Sequence, residues 1–222
     1  LEILERMKAG IGGRALVAGV ATGPLSGPIL LMGMERWLGM LTTHPELARQ
    51  MVATYRAFAL DWARAQVAAG ADLLVWFEPM ASADMTPRHL IEALALPTLR
   101  EACALGVPVV LHLASARALK ALDFAVSCGA SALSIGCFDD ARALRAAAAG
   151  RMSLVGPLDG IAMHRWTDDE TRGAVRRALA DYGGQGGFLL SDAHGEIPWQ
   201  VRPETLDTLV RSARTLSASV PA

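Results

Sequence analysis

Short runs of consecutive apolar residues alternate along the chain with longer stretches in which apolar positions recur at helical spacing. Continuous apolar runs are typical of strands buried on both faces, as in a parallel sheet covered by helices. The pattern therefore predicts an α/β protein with six strands, at Ala15–Val20, Asp72–Phe77, Pro108–Leu113, Ala132–Gly136, Met152–Val155 and Gly187–Leu190.

Signals for helix starts and ends separate these runs. Thr43 with Glu46, and Thr167 with Glu170, have the Thr-x-x-Glu spacing of a capping box, in which each residue satisfies a free backbone N–H group of the other. Two further helices are predicted to begin after N-cap residues. A glycine stands just before three of the strands, where it allows the left-handed backbone that ends a helix. The two N-caps are Ser115 and Asp139, and the three glycines are Gly70, Gly106 and Gly129.

The repeated order of helix, glycine, strand and loop is typical of βα units. No linker or break in composition divides the chain, so we expect residues 1–222 to form a single domain. Six units are two fewer than a closed (β/α)₈ barrel contains. The prediction is a TIM-type barrel whose first strands precede Leu1, so that the domain is incomplete at its N-terminus. A doubly wound open sheet is the alternative, but no Gly-x-Gly-x-x-Gly motif follows the first strand.

Composition narrows the classes of function. The 222 residues carry a net charge of −1, which excludes a protein that binds nucleic acid or anionic membranes through bulk charge. The three cysteines are widely spaced, which is typical of a reducing cytoplasm rather than of a disulfide framework. The uncharged segment Ala15–Met34 is long enough to span a bilayer, but its glycines and prolines favour a strand, a turn and a helix start.

Polar side chains follow five consecutive predicted strands. The catalytic groups of a βα barrel lie at the carboxyl ends of its strands, so these side chains are expected to share one rim. His112 is the strongest candidate for a site residue because its neighbours in sequence are apolar and it should be nearly buried. A histidine that is hydrogen-bonded within the core, without a functional role, would have the same apolar neighbours. The five strands end in Glu78, His112, Cys137, Asp159, and the pair Asp192 and His194.

The order of these motifs resembles the uroporphyrinogen decarboxylase superfamily. The resemblance covers essentially the whole chain and includes Gly23-Pro24 and the Ala68-Ala-Gly-Ala-Asp72 segment. It implies a single barrel with further residues at the N-terminus. It is carried by Phe77-Glu78-Pro79-Met80-Ala81-Ser82, Val109-Val110-Leu111-His112, Gly156-Pro157-Leu158-Asp159, Gly186-Gly187-Phe188-Leu189-Leu190-Ser191, His194-Gly195 and Arg202-Pro203-Glu204.

Within the superfamily, the chain is more similar to the cobalamin-dependent methyltransferases. The decarboxylases have a tyrosine after the Gly-Pro segment, where this chain reads Pro28-Ile29-Leu30-Leu31. The leading expectation is transfer of a methyl group between a corrinoid (methylcobalamin) and a thiol or related acceptor, with a corrinoid protein or a small-molecule thiol as partner. Uroporphyrinogen decarboxylation is the alternative, and a catalytically inactive barrel that binds a small ligand is the third. The resemblance leaves a homodimer open.

The resemblance also implies roles for individual residues. The methyltransferases bind zinc through a His-x-Cys pair and a cysteine in the last loop, whereas here Ala114 and His194 stand at the two cysteine positions. His112 and His194 with Cys137, or with Glu78 in its place, would nevertheless give a three-ligand zinc site with one open position. In the decarboxylase, Asp159 or Glu78 would orient pyrrole N–H groups and His194 a carboxylate. The expected catalytic residues are His112, His194, Glu78 and Asp159, and the expected cofactor-binding residues are Ser191 and Asp192.

Overall fold

A computed structural model describes residues 1–183 and 186–217. Its six strands form one parallel sheet in which every strand pairs with the next one along the chain. This order confirms the six predicted strands. They are β1 (Ala18–Thr22), β2 (Leu73–Phe77), β3 (Val109–His112), β4 (Ala132–Ser134), β5 (Ser153–Leu158) and β6 (Phe188–Asp192).

Helices connect all successive strands, which is the arrangement of a (β/α) barrel and confirms the predicted fold class. A wide helical turn at Ile91–Ala95 joins α5 to α6, so that these two elements form one continuous segment. The helices are α1 (Glu2–Ile11), α2 (Gly27–Met32), α3 (Met34–Thr43), α4 (Pro45–Ala68), α5 (Arg88–Leu90), α6 (Leu96–Cys103), α7 (Leu122–Ser127), α8 (Ala141–Ala148), α9 (Asp168–Tyr182) and α10 (Pro203–Ser217).

The structure corrects three of the predicted helix starts. Thr167 and Glu170 form the expected capping box of α9, but the box predicted at Thr43 is wrong, because α3 continues through Thr43 and α4 begins at Pro45. Asp139 is not an N-cap, since the neighbouring Asp140 accepts the hydrogen bond that caps α8.

Ser115 is the third correction, because it begins no helix. Its backbone has the left-handed φ of 69°, whereas an N-cap residue has an extended conformation. The predicted helix-ending glycines are confirmed by their positive φ angles, at Gly70 (96°), Gly106 (85°) and Gly129 (82°).

The main core lies between the sheet and its helices. Leu74 and Trp76 of β2 are fully buried there and belong to the same cluster as Ala59 and Ala63 of α4. Side chains alternate along a strand, so the residue that follows Trp76 points to the inner face of the sheet. Alternation therefore decides which strand-end residues reach the inner rim. In the described ranges, no helix has the length and apolar character needed to cross a membrane.

Candidate functional site

The inner rim is built around His112, the last residue of β3. Its register partner on β2 is Phe77, and the two rings stack with centroids 5.5 Å apart and an angle of 26° between their planes. Gly195, in the loop after β6, lies against the same imidazole: a Cβ added there would be 3.1 Å from His112 Cε1 and 3.3 Å from the Phe77 ring. The imidazole is thus held between an aromatic ring and a glycine backbone.

Burial determines the charge of this imidazole. The side chain is 7% exposed, and burial lowers the pKa of His112, while Asp192 acts in the opposite direction and His194 lowers it further. His112 is therefore neutral near pH 7. Its Nδ1 atom accepts a hydrogen bond of 3.2 Å from the backbone N–H of Ala114.

The loop after β6 brings His194 toward β5. His194 Nε2 lies 4.0 Å from Asp159 Oδ1, and His194 Nδ1 is buried without a hydrogen-bond partner in the described part of the chain. Asp159 also accepts a hydrogen bond of 2.9 Å from Ala162 N. A buried imidazole nitrogen without a partner is costly, so this atom is suited to bind a ligand or a water molecule.

Asp192 shapes the loop that carries His194. Its Oδ2 atom accepts hydrogen bonds from His194 N (2.9 Å) and Gly195 N (2.7 Å). Ser191 precedes it and lies opposite Pro157 of β5. Because adjacent side chains on a strand point to opposite faces, Ser191 and Asp192 do not face the same volume. Their expected role in cofactor binding stays a prediction.

Glu78 is separated from this cluster by the same alternation. Its Oε2 atom accepts a hydrogen bond of 3.3 Å from Leu25 N, and Ser26 bonds to the same carboxyl group. These partners follow β1, so the Glu78 carboxyl group lies apart from the side chains of His112 and His194, although Glu78 N donates a hydrogen bond of 2.8 Å to the His112 carbonyl. Burial raises the pKa of Glu78 to about 7, against the hydrogen bonds from Ser26 and Leu25.

Glycine at position 23 makes room for this buried carboxyl group. A Cβ at Gly23 would lie 1.8 Å from Glu78 Oε2 and 2.6 Å from Trp76 Nε1. Both Glu78 Oε1 and Trp76 Nε1 are buried without a hydrogen-bond partner among the residues that the structure describes. The Gly-Pro segment after β1 therefore serves to enclose Glu78 on the helix-facing side of β2.

Cys137 lies in the loop after β4, and burial, followed by the charge of Asp159, raises the pKa of its thiol. It lines a cavity of about 290 Å³ together with Asp159, Trp166 and Arg177. Across residues 1–183 and 186–217, no three His, Cys, Asp or Glu side chains are arranged to hold a metal ion. The described structure therefore does not arrange His112, His194 and Cys137 as a group of metal ligands, and the zinc site stays a prediction.

Two residues of the site appear in the sequence analysis only as parts of motifs and were not predicted to belong to the site. Phe77 could have been found by alternation, because it is the neighbour of Glu78 and must face the other side of the sheet. Gly195 gave only the weak signal of a glycine after a histidine, and its contact with His112 joins residues of β3 and the β6 loop that are far apart in the chain.

Comparisons with known proteins identify a family through one family model and a fold through solved structures. The family model for uroporphyrinogen decarboxylase matches residues 1–216. Two proteins named uroporphyrinogen decarboxylase are each 26% identical to the chain: one from Teredinibacter turnerae over 83% of the chain and 52% of that protein, and one from Cellvibrio japonicus over 81% and 51%. The chain thus spans about half the length of the curated relatives it matches.

Solved structures show the same fold at lower identity. A methyltransferase from Methanosarcina mazei superposes with a TM-score of 0.81 at 20% identity, over 97% of this chain and 63% of that one. A B12-independent methionine synthase from a Shewanella species in complex with selenomethionine superposes with a TM-score of 0.68 at 14% identity, over 98% and 66%. At these identities the similarity establishes the fold alone.

Proposed function

Because the chain belongs to the uroporphyrinogen decarboxylase family, we propose that it is a methyltransferase of that superfamily, which transfers a methyl group between a corrinoid and a thiol or related acceptor. One observation carries the proposal: two imidazoles and two carboxylates lie at the ends of β3, β5 and β6, with Asp192 holding the loop that carries His194, and no lysine or arginine in the described ranges forms an ion pair with either carboxylate. Such a rim suits a neutral acceptor that must lose a proton. The four side chains are His112, His194, Asp159 and Asp192.

His194 is the group best placed to take that proton. Its Nε2 atom faces the Asp159 carboxylate, which stabilises the imidazolium formed when the ring accepts a proton from the thiol. The resulting thiolate is the nucleophile, since a thiol reacts as its anion. The corrinoid, when bound, supplies an electrophilic methyl group. Asp159 orients the ring, as the carboxylate partner of a histidine base does.

Decarboxylation of uroporphyrinogen is the second candidate, favoured by the names of the relatives at 26% identity. Asp159 would then accept hydrogen bonds from pyrrole N–H groups. The substrate carries many carboxylates, and binding them at this rim would place like charges beside Asp159 and Asp192, which is unfavourable. This charge conflict is the reason that methyl transfer ranks first.

The experiment compares the two reactions on the full-length protein. Demethylation of methylcobalamin in the presence of a thiol is followed by the cobalamin spectrum, and conversion of uroporphyrinogen to coproporphyrinogen is measured in parallel. His194→Ala is expected to lower the rate of methyl transfer roughly 10²–10⁴-fold, the contribution of a general base. His164→Ala is the matched control, because His164 is exposed and bonds only to the Ile161 carbonyl in the described chain.

Each outcome has a distinct meaning. Turnover of uroporphyrinogen without methyl transfer would reverse the ranking of the two enzymes. Activity in neither assay, with the protein folded, would favour a barrel that binds a ligand without converting it. A full rate in His194→Ala would contradict the role of His194 as the base while leaving the reaction itself in place.

A further inference from the structure

The turn that follows β3 has an unusual backbone. Ala114 and Ser115 have φ angles of 48° and 69°, and they are the only non-glycine residues with positive φ in the described ranges. Residues with a Cβ rarely adopt this left-handed region, and two in succession persist only where the surroundings impose the conformation. Both lie within three positions of His112, so the strained turn belongs to the site.

Three contacts hold the turn in place. The Ala114 N–H group donates to His112 Nδ1 at 3.2 Å, and the Ser115 hydroxyl donates to the Ala193 carbonyl in the β6 loop at 3.2 Å. The Ser115 carbonyl packs against Gly136, where an added Cβ would approach it to 2.9 Å. The turn thus connects the ends of β3, β4 and β6.

The first of these contacts decides which nitrogen of His112 carries the proton. A neutral imidazole has one N–H donor and one acceptor nitrogen. Since Nδ1 accepts the hydrogen bond from Ala114, the proton resides on Nε2. His112 Nε2 lies 3.5 Å from the position of a Cβ on Gly195 and has no hydrogen-bond partner in the part of the chain that the structure describes.

We propose that the Ala114–Ser115 turn is a positioning device that fixes His112 as the Nε2–H tautomer, so that His112 donates a hydrogen bond to an acceptor atom of the bound substrate. The two histidines then have opposite tasks, with His194 accepting a proton and His112 donating a hydrogen bond. The same tautomer leaves Nε2 without a free lone pair for a metal ion. The inference rests on the proposed function only for the identity of the substrate atom, which is the sulfur of the thiol acceptor.

The experiment determines the tautomer of His112 in the protein without substrate. Long-range ¹H–¹⁵N spectra of the ¹⁵N-labelled chain at pH 8 distinguish protonated from unprotonated ring nitrogens, and His112→Gln identifies the His112 signals by their loss. We expect Nδ1 of His112 to be the unprotonated nitrogen and Nε2 the protonated one. The reverse assignment, or a mixture with similar amounts of both tautomers, would overturn the proposal.

Two substitutions at position 114 test whether the turn sets the tautomer. Ala114→Gly adopts the left-handed backbone freely and is expected to leave the tautomer unchanged. Ala114→Val disfavours that backbone and is expected to produce a mixture of tautomers. A pure Nε2–H tautomer in a folded Ala114→Val protein whose turn has rearranged would contradict the positioning role. If Ala114→Val does not fold, the spectra of the wild type and of Ala114→Gly still test the proposal. Loss of the Nε2–H tautomer in Ala114→Gly would also contradict the positioning role of the turn.

The rate of methyl transfer in two His112 variants tests whether donation from Nε2 matters for activity. The amide nitrogen of glutamine reaches about as far as histidine Nε2, and that of asparagine about as far as Nδ1. His112→Gln is therefore expected to retain at least tenfold more methyl transfer than His112→Asn, and the opposite order would contradict donation from Nε2. Absence of methyl transfer in the wild type would count against the proposed function alone, since the spectra report the tautomer independently of turnover.

Discussion

The carboxyl group of Glu78 is fully enclosed behind β2, where hydrogen bonds from Leu25 and Ser26 only partly offset its burial. Its pKa of about 7 in the folded chain lies above the ordinary value of 4.5, so the folded state binds this proton more tightly than the unfolded state does. Between pH 4.5 and about 7 the unfolded chain has lost the proton while the folded chain retains it. The stability contribution of this residue therefore falls as the pH rises through that window.

Glu78→Gln removes this dependence, because glutamine keeps an acceptor oxygen for Leu25 and never ionises. The wild type is expected to lose about 3 kcal/mol of unfolding free energy relative to Glu78→Gln between pH 4 and pH 8. Urea unfolding at several pH values measures the difference. Glu5→Gln is the control, since Glu5 is exposed on α1 and hydrated in both states. Parallel pH profiles for the wild type and Glu78→Gln would show that Glu78 is not buried as described.

The left-handed backbone at Ala114 is costly for a residue with a side chain, by roughly 1–2 kcal/mol. Replacement by glycine removes this strain but increases the entropy of the unfolded chain, which costs roughly 0.4–1 kcal/mol. Ala114→Gly is therefore expected to raise the unfolding free energy by up to about 1 kcal/mol.

Ala116→Gly, two residues further on in the same segment and without a positive φ, should instead lower the unfolding free energy by roughly 0.5 kcal/mol. Thermal and urea unfolding of both variants provide the comparison. Equal destabilisation by the two substitutions would contradict the strained turn.

At the scale of the elements, helix α9 offers a direct measure of what a cap contributes. The Thr167 hydroxyl accepts from Glu170 N, and the Glu170 carboxylate accepts from Thr167 N. Thr167→Ala is expected to cost about 1 kcal/mol of unfolding free energy. Thr43→Ala should change it by less than about 0.5 kcal/mol, because the bonds of the Thr43 hydroxyl to the Gly39 carbonyl and to His44 Nδ1 both lie on an exposed helix end. A large loss in Thr43→Ala would restore the capping box that the structure rejects.

The elements also show what the sequence could and could not predict. The strands were predictable because a parallel sheet buries both faces and leaves continuous apolar runs such as Leu73–Phe77. The capping box predicted at Thr43 is wrong because the sequence Thr43-His-Pro-Glu46 is equally compatible with a helix that ends at Thr43 and a second helix that begins with proline. Local spacing does not distinguish these two arrangements.

The site was predictable as a rim but not in its detail. His112, Asp159 and His194 follow strands, and the shared end of parallel strands brings them together. Glu78 also follows a strand, but it is the residue after Phe77, so the alternation of side chains places it on the helix-facing side. The Ala114–Ser115 turn had no sequence signal, since left-handed backbone normally selects glycine and tertiary contacts impose it here.

At the scale of the whole molecule, the sheet of the described chain has two end strands, β1 and β6. A strand with free N–H and C=O groups on its outer edge can pair with another chain. The edge of β1 is protected at Val20 by the amide of Gln66 on α4. Gln66 Oε1 accepts from Val20 N, Gln66 Nε2 donates to Val20 O, both at 2.9 Å, and Trp62 Nε1 donates to the same carbonyl at 3.1 Å.

Within the described chain, this amide satisfies the Val20 N–H and C=O groups that face away from β2, so Gln66 fastens α4 to the sheet and keeps these two groups from pairing with another chain. Gln66→Leu keeps the apolar volume and removes both bonds to Val20. It is expected to lower the unfolding free energy by about 1 kcal/mol, because Val20 N loses its partner while Val20 O keeps only its bond from Trp62 Nε1. It should also increase self-association with concentration, measured by size-exclusion chromatography with light scattering. Trp62→Phe is the graded control, since the Val20 carbonyl keeps its bond to Gln66. A Gln66→Leu protein as stable and as monodisperse as Trp62→Phe would show that the amide does not protect this edge.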